Sequence, residues 1–226
     1  MARQLVLDLA LRPAFGREDF LVGPSNAAAV ALIDQWPRWP SFGAILVGPA
    51  GSGKSHLATV WQQKSGAQSI DAANIQQAQV PTLLADRALV IEDLDADSRD
   101  ETALFHMLNL ARAEGASVLF TAARPVVALG LRLPDLVSRL GALPSAAIDP
   151  PDDALLRGVL VKHFTDRQIA VDEAVISYLL ARMPRSMDMA QQLVAAIDAT
   201  ALEEKTEVTR AFAGRVLAKL VEPELG

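Results

Sequence analysis

The sequence predicts an α/β fold in which a parallel sheet, built around a phosphate-binding loop, is followed by a small all-helical region. First, short apolar runs alternate with helical patterns through the first two thirds of the 226 residues. Second, residues 48–55 read GPAGSGKS, which satisfies the phosphate-loop pattern G-x-x-x-x-G-K-[ST]. Third, only helical patterns follow Pro150-Pro151. Strands that alternate with helices indicate right-handed crossovers and a sheet that is covered on both faces.

Hydrophobic periodicity predicts the elements of the α/β part in order. Each strand candidate is a run of three or four apolar residues, as expected for a strand buried on both faces. Trp36-Pro37 ends the first helix, because the residue before a proline disfavours helical backbone. Trp36, Trp39 and Trp61 are interpreted as core or core-edge aromatics. In chain order the predicted elements are a helix over 26–35, a strand over 44–47, a helix over 54–63, a strand over 88–91, a helix over 98–114, a strand over 118–121 and a weaker strand over 146–148.

The pattern changes at Asp149-Pro150-Pro151, after which three or four amphipathic helices are expected. Proline fits the first turn of a helix, so these prolines are a plausible hinge and helix start. The predicted organisation is an N-terminal arm over residues 1–19, an α/β nucleotide-binding core over 20–149 and a helical lid domain over 150–226.

Composition excludes several classes of protein. A hydrophobic fraction of 51% excludes a disordered chain. The 27 acidic and 21 basic residues give a net charge of −6, which disfavours a general DNA-binding protein. The absence of cysteine excludes disulfides, zinc fingers and thiol catalysis. No apolar run reaches the roughly 18 residues of a membrane span, so we expect a soluble cytoplasmic protein without a membrane partner.

The phosphate loop is the strongest functional signal, because it follows an apolar strand and precedes a helix. Its glycines let backbone N–H groups surround a phosphate, and the helix directs its positive end at the same group. Lys54 can reach the β- and γ-phosphates, and the Ser55 hydroxyl can bind Mg²⁺. We therefore expect ADP or ATP with Mg²⁺. The predicted nucleotide-binding residues of the loop are Gly48, Pro49, Ala50, Gly51, Ser52, Gly53, Lys54 and Ser55.

Acidic residues close the strand over 88–91, where a phosphate-loop ATPase carries its magnesium-associated acid. Glu92 and Asp93 are both candidates for metal binding and for catalysis, and the sequence leaves open which of them serves the metal. Together with Ser55 they form the predicted Mg²⁺ site.

Four segments resemble the nucleotide domain of the DnaA family of replication initiators, in the order found in that family. They imply an AAA+ fold with a helical lid, a nucleotide contact for Asn26, and an arginine finger at Arg139, a side chain that completes the active site of a neighbouring ATPase. The segments are Phe20–Asn26, Phe105–Asn109, Arg124-Pro125 and Leu133–Leu140.

The N-terminal residues narrow this resemblance. Residues 4–9 read QLVLDL and are similar to the clamp-binding peptide of the Hda-type regulators, in which proline usually stands at the Asp8 position. The resemblance implies that Gln4, Leu5, Leu7 and Leu9 bind the β sliding clamp of DNA polymerase III. It also implies stimulation of ATP hydrolysis by DnaA, contact with DNA only through the clamp, and nucleotide-dependent self-association as an open possibility. The sequence stops at Gly226, and we expect no helix-turn-helix domain of the kind that ends the initiators.

Two positions depart from the DnaA pattern. Ala123 stands where the family has an aspartate that senses the γ-phosphate, and Asp188 stands where it has a phosphate-sensing arginine. Thr121 could partly replace the missing aspartate as the sensor of the γ-phosphate, and Arg185 could reach the phosphate in place of the missing arginine. We therefore expect nucleotide binding with slow intrinsic hydrolysis at most.

Two other functions fit the phosphate loop. One is an ATPase similar to helicase loaders, which acts with a replicative helicase and single-stranded DNA. The acidic balance and the clamp-like peptide favour the regulator. The other is a small-molecule kinase, against which the helical C-terminal region and the Arg139 segment argue.

Overall fold

The computed structural model describes residues 21–221, so the clamp-like peptide over residues 4–9 lies outside the described residues. The described range contains five strands and nine α-helices. The strands are β1 (Gly43–Val47), β2 (Gln68–Asp71), β3 (Ala88–Glu92), β4 (Ser117–Ala122) and β5 (Ser145–Ala147). The helices are α1 (Ala27–Gln35), α2 (Lys54–Ser65), α3 (Val80–Leu83), α4 (Glu101–Glu114), α5 (Pro134–Gly141), α6 (Asp153–Asp166), α7 (Glu173–Leu180), α8 (Met187–Glu204) and α9 (Arg210–Val221).

All five strands are parallel and lie in the order β2-β3-β4-β1-β5. Alternate residues of the central strands enter opposite faces, because side chains of a strand alternate with a period of two. In β1, Ile45 joins the cluster that packs against α3, α4 and α5, while Ala44 and Leu46 join the cluster against α1 and α2. Both faces of the sheet are therefore buried, as the apolar runs predict.

The three tryptophans pack on the α1–α2 side of the sheet. Trp61 is fully buried, stacks on Trp39 at 5.4 Å between ring centroids and meets the edge of Trp36 at 5.9 Å. The indole N–H of Trp39 donates to the carbonyl oxygen of Leu32, and that of Trp36 to the hydroxyl of Ser117. Their interpretation as core and core-edge residues is confirmed.

Helices α6 to α9 bury a cluster of their own, which contains Leu160, Phe164, Leu179, Val194 and Leu217 among others. In the described part of this C-terminal region there is no strand. None of the helices in residues 21–221 combines the length and the apolarity that a membrane crossing requires.

The parallel sheet and the four strand candidates are confirmed. Strand β2 is not predicted by hydrophobic periodicity, because Gln68–Asp71 is a short edge strand with partly exposed polar residues instead of an apolar run. Helix α4 begins at Glu101 and not at residue 98. The carboxylate of Asp100 accepts hydrogen bonds from the backbone N–H groups of Thr102 and Ala103, and this cap fixes the start of the helix.

Candidate nucleotide-binding site

The phosphate loop connects the end of β1 to the start of α2 at the carboxyl edge of the sheet. The backbone N–H of Gly48 donates to the carbonyl oxygen of Ala122 at 3.0 Å, which anchors the loop to β4. Gly51 and Gly53 have φ angles of +71° and +99°. Residues with a side chain rarely adopt such backbone conformations, so the glycines permit this path of the chain.

The packing around Gly48 leaves no space for a side chain. A Cβ atom there would lie 2.5 Å from the carbonyl oxygen of Ile148 and 2.8 Å from the hydroxyl oxygen of Ser52. Ser52 is only 2% exposed, and its hydroxyl has no hydrogen-bond partner within the described residues. A buried polar group of this kind needs a partner, and a phosphate oxygen would provide one.

Lys54 is the buried cation of the loop, with 8% of its surface exposed. Its ammonium donates to the carbonyl oxygens of Gly48 at 2.7 Å and Pro49 at 2.9 Å, which folds the side chain across the loop. Burial lowers the pKa of this ammonium, and nearby carboxylates, chiefly those of Asp93 and Asp95, oppose the shift.

Ser55 and Glu92 meet at the start of α2. The Ser55 hydroxyl donates to one carboxylate oxygen of Glu92 at 3.1 Å, and the hydroxyl of Ser69 on β2 donates to the other at 2.8 Å. Glu92 is thus oriented from both sides, beside the serine predicted to bind Mg²⁺. Ser69 could not be predicted as a site residue from the sequence, because β2 has no apolar run that reveals it.

Asp93 turns away from the strand, with a φ angle of +54°. Its backbone N–H donates to the hydroxyl of Thr121 at 3.1 Å. The Thr121 side chain therefore helps to hold the acidic turn. Loss of hydration, followed by the neighbouring carboxylates of Asp71 and Glu92, raises the pKa of Asp93. Glu92, and not Asp93, is the acid that contacts Ser55.

Asp95 contacts the position where the DnaA pattern has its sensor aspartate. Its carboxylate accepts hydrogen bonds from the backbone N–H of Ala123 and, at 3.0 Å, from the guanidinium of Arg124. The carboxylate of Asp95, which follows the neighbouring strand β3, thus lies beside Ala123 at the end of β4. Nothing in the local sequence around Asp95 predicts this contact, because Ala123 and Arg124 lie 28 and 29 residues further along the chain.

The N-terminus of α8 lies directly on the phosphate loop. The backbone N–H of Met187 donates to the carbonyl oxygen of Gly51 at 2.8 Å. A Cβ atom on Gly51 would lie 2.1 Å from the hydroxyl oxygen of Ser186, far inside van der Waals contact. The loop and the C-terminal helices are therefore in contact through a glycine that has no room for a side chain.

Replacing Gly51 by alanine should weaken MgADP binding roughly tenfold, because a left-handed backbone costs about 1–2 kcal/mol for other residues and the new methyl group collides with Ser186. Adding Ser186→Gly removes the collision and should restore part of the affinity. Calorimetric titration measures the affinity of both variants.

Gly66→Ala is the matched control: the φ angle of Gly66 is +74°, but nothing lies within 4 Å of its Cβ position. That control should lower the free energy of unfolding and leave affinity unchanged; an equal affinity loss in both variants contradicts the account.

A cavity of about 240 Å³ lies beside the loop, between α2, α6 and α8. Leu21 forms part of its wall. Asn26 is buried, and its side-chain amide donates to the carbonyl oxygen of Leu21 and accepts from the backbone N–H of Gly23. Asn26 therefore orders the segment that lines the cavity, and its predicted contact with nucleotide stays a prediction. The lining residues are Leu21, Gly53, Ser55, His56, Thr59, Val159, Lys162, His163, Met187, Asp188 and Gln191.

Arg139 lies in the last turn of α5 and is half-buried. Its guanidinium lies 5.0 Å from the ring centroid of Phe105. Within residues 21–221 it forms no ion pair with a carboxylate. A guanidinium held on an aromatic ring keeps its charge and its fork of donors available.

The residues present fit a nucleoside phosphate with Mg²⁺. The glycine loop, the Ser52 hydroxyl and the Lys54 ammonium supply donors for phosphate oxygens, and Ser55 and Glu92 supply oxygen ligands for the metal. Among residues 21–221 no group of three or more histidines, cysteines or acids could by itself hold a metal ion. The single carboxylate of Glu92 beside the Ser55 hydroxyl suits Mg²⁺, which is commonly bound through one or two carboxylates together with substrate phosphates.

Comparisons of sequence give no match, either to protein-family models or to curated proteins. Comparison with solved structures finds similar folds. The chain is similar to domain III of the replication initiation protein DnaA from Thermotoga maritima, with a TM-score of 0.77 and 20% identity over 93% of this chain and 98% of that one.

Two further solved structures are similar. AMPPCP-bound DnaA from Aquifex aeolicus has a TM-score of 0.69 and 20% identity, over 85% of this chain and 68% of that chain. The RuvB Holliday junction branch migration motor of Thermotoga maritima has a TM-score of 0.68 and 16% identity, over 89% and 70%. Together with the parallel five-stranded sheet and its surrounding helices, these similarities show that the chain has the AAA+ fold, an α/β core with a helical region.

Proposed function

We propose that this protein is a regulatory AAA+ protein of replication initiation, which binds ADP or ATP with Mg²⁺ and stimulates hydrolysis of ATP bound to the initiator DnaA. The observation that supports the proposal is that one chain holds both a phosphate loop with a buried lysine and an arginine, Arg139, that has no carboxylate partner in residues 21–221. The similarity of the fold to domain III of DnaA supports a partner that has the same fold, such as DnaA itself.

We propose that helices α6 to α9 form a lid domain, and that residues 20–149 form the nucleotide-binding core. The separate buried cluster of the C-terminal helices supports this division. The contact of Ser186 and Met187 with Gly51 would then couple the lid to the phosphate loop. Nucleotide held between the two would fix the surface that is presented to a partner.

Arg139 would act in trans. An arginine that reaches a neighbour's γ-phosphate stabilises the charge that develops on the transferring group. The ring of Phe105 supports its guanidinium without a competing carboxylate. In this protein's own site, Lys54 would bind the β- and γ-phosphates, and Ser55 and Glu92 would hold the metal. Mg²⁺, when bound, would neutralise phosphate charge.

The N-terminal arm would tether the protein to the sliding clamp, and so to DNA, in the cytoplasm. Gln4→Ala combined with Leu7→Ala is expected to reduce clamp binding at least tenfold, because a six-residue peptide buries a small area and has few contacts to lose. A pull-down on purified clamp measures the effect. Leu202→Ala, an exposed leucine on α8, is the control and should bind normally. Undiminished binding by the double variant contradicts the tether.

A helicase-loader-like ATPase is the second candidate, because the fold is also similar to that of a DNA branch migration motor. The net charge of −6 disfavours it, because single-stranded DNA is bound by positively charged grooves.

One assay separates the two functions. Hydrolysis of DnaA-bound ATP is followed with and without this protein on clamp-loaded DNA, and in parallel the protein is offered a replicative helicase with single-stranded DNA. The regulator accelerates the first reaction and does not retain the helicase. The opposite pattern supports the loader.

A further inference from the structure

Helix α5, which carries Arg139, begins without a capping side chain of its own. Its N-cap residue is Leu133, whose apolar side chain makes no capping hydrogen bond, and Pro134 follows at the start of the helix. A proline at this position has no N–H to satisfy, but the N–H groups of the residues before it still need acceptors. The start of α5 therefore depends on an acceptor from elsewhere in the chain.

That acceptor is the carboxylate of Glu101, in the first turn of α4. It accepts a hydrogen bond from the backbone N–H of Leu133 at 2.7 Å, and its two oxygens lie 2.9 and 3.0 Å from the backbone nitrogen of Arg132. Hydrogen bonds to an ionised group are stronger than those between neutral groups. The negative charge also lies near the positive end of α5, which it stabilises. Glu101 thus fastens the start of α5 to α4.

The surroundings of Glu101 leave its carboxylate to this task. Glu101 is half-buried and lines a polar cleft together with Arg99, Arg124 and Arg132. None of the ion pairs within residues 21–221 includes it. The guanidinium of Arg99 donates to backbone carbonyl oxygens, and that of Arg124 pairs with Asp95. The cleft arginines therefore do not compete for the carboxylate that holds α5.

The same face of α4 also holds the other end of α5. Phe105, whose ring lies 5.0 Å from the Arg139 guanidinium, stands four residues after Glu101, and residues four apart share a helix face. With a rise of about 1.5 Å per residue, these two side chains start about 6 Å apart along α4, and Pro134 and Arg139 about 7.5 Å apart along α5. Two attachments at similar spacing therefore define how α5 lies on α4.

We propose that Glu101 is a positioning residue for Arg139: by holding the start of α5 on α4, it sets where the guanidinium is presented to a neighbouring ATPase. The inference rests on the proposed function, in that Arg139 must act in trans. Glu101 acts only through α5. Its effect on rate can still be large, because a displacement of about 1 Å in a group that acts on the transition state can cost roughly 100-fold.

The first test uses the full chain alone and measures amide hydrogen exchange at single residues. In Glu101→Ala the N–H groups of Arg132 and Leu133 lose their acceptor and should exchange roughly tenfold faster, while the amides of α2 stay as protected as in the wild type. Glu114→Ala removes an exposed glutamate at the other end of α4, and this matched control should exchange like the wild type. Unchanged exchange at both amides would show that Glu101 does not hold α5.

The second test follows single-turnover hydrolysis of DnaA-bound ATP on clamp-loaded DNA, at increasing concentrations of this protein. Glu101→Ala should lower the maximal rate roughly tenfold and leave the concentration for half-maximal stimulation unchanged. Loss of folded protein would instead raise that concentration and leave the maximal rate intact. Glu101→Gln keeps the shape and one acceptor oxygen, so its maximal rate should be intermediate. Glu114→Ala should match the wild type.

The outcomes separate the inference from the proposed function. If Glu101→Ala reaches the wild-type maximal rate, the inference is wrong while the proposed function stands. If wild-type protein does not accelerate hydrolysis at any concentration, the proposed function fails and the inference falls with it.

Discussion

Replacing Arg139 by alanine is expected to return hydrolysis of DnaA-bound ATP to the rate of DnaA alone. Arginines supplied in trans contribute about 10³–10⁵-fold in rate to phosphoryl transfer. Arg139 is suited to this because its guanidinium rests on Phe105, with no carboxylate paired to it in residues 21–221. The measurement is single-turnover hydrolysis of DnaA-bound ATP on clamp-loaded DNA.

Two controls define the Arg139 experiment. Arg139→Lys keeps the charge but loses the planar fork of donors, so it should restore little of the rate. Arg112→Ala removes an exposed arginine from the last turn of α4 and should be fully active. MgADP affinity should be unchanged in all three variants. Wild-type stimulation by Arg139→Ala would show that Arg139 is not the finger.

Replacing Lys54 by alanine is expected to weaken binding of MgADP by roughly 100-fold, because charge-assisted hydrogen bonds to phosphate contribute about 1.5–3 kcal/mol and one ammonium can make more than one of them. Lys54 is the loop's cation, and the carbonyl oxygens of Gly48 and Pro49 hold it across the loop. Isothermal titration calorimetry measures the loss.

Thermal unfolding must accompany the Lys54 titration, because removing the side chain also removes its two hydrogen bonds to the loop. Lys64→Ala, in the last turn of the same helix, is the control for a lost lysine and should bind normally. A Lys54→Ala variant that is folded and binds MgADP like the wild type contradicts the assignment of the loop.

Features that depend on local sequence could be predicted. A few consecutive residues define each of three such features: the phosphate loop, the strands β1 and β3 on either side of β4, and the acidic end of β3. Glu92 was therefore found at the site, and the structure adds that it is the acid in contact with Ser55.

Features that depend on contacts between distant segments could not be predicted in this way. Ser69 reaches Glu92 only because β2 pairs with β3, and β2 has no apolar run to reveal it. Asp95 reaches Ala123 because two parallel strands end side by side. Ser186 meets Gly51 through the packing of the C-terminal helices, which no local pattern encodes.

We propose that this protein accelerates hydrolysis in a neighbouring initiator while it is bound to the clamp. The most direct measurement is the rate at which DnaA-bound ATP becomes ADP when purified wild-type protein is added, with and without clamp-loaded DNA. We expect acceleration that requires both the protein and the loaded clamp. An unchanged rate under all conditions, from protein that binds MgADP normally, would contradict it.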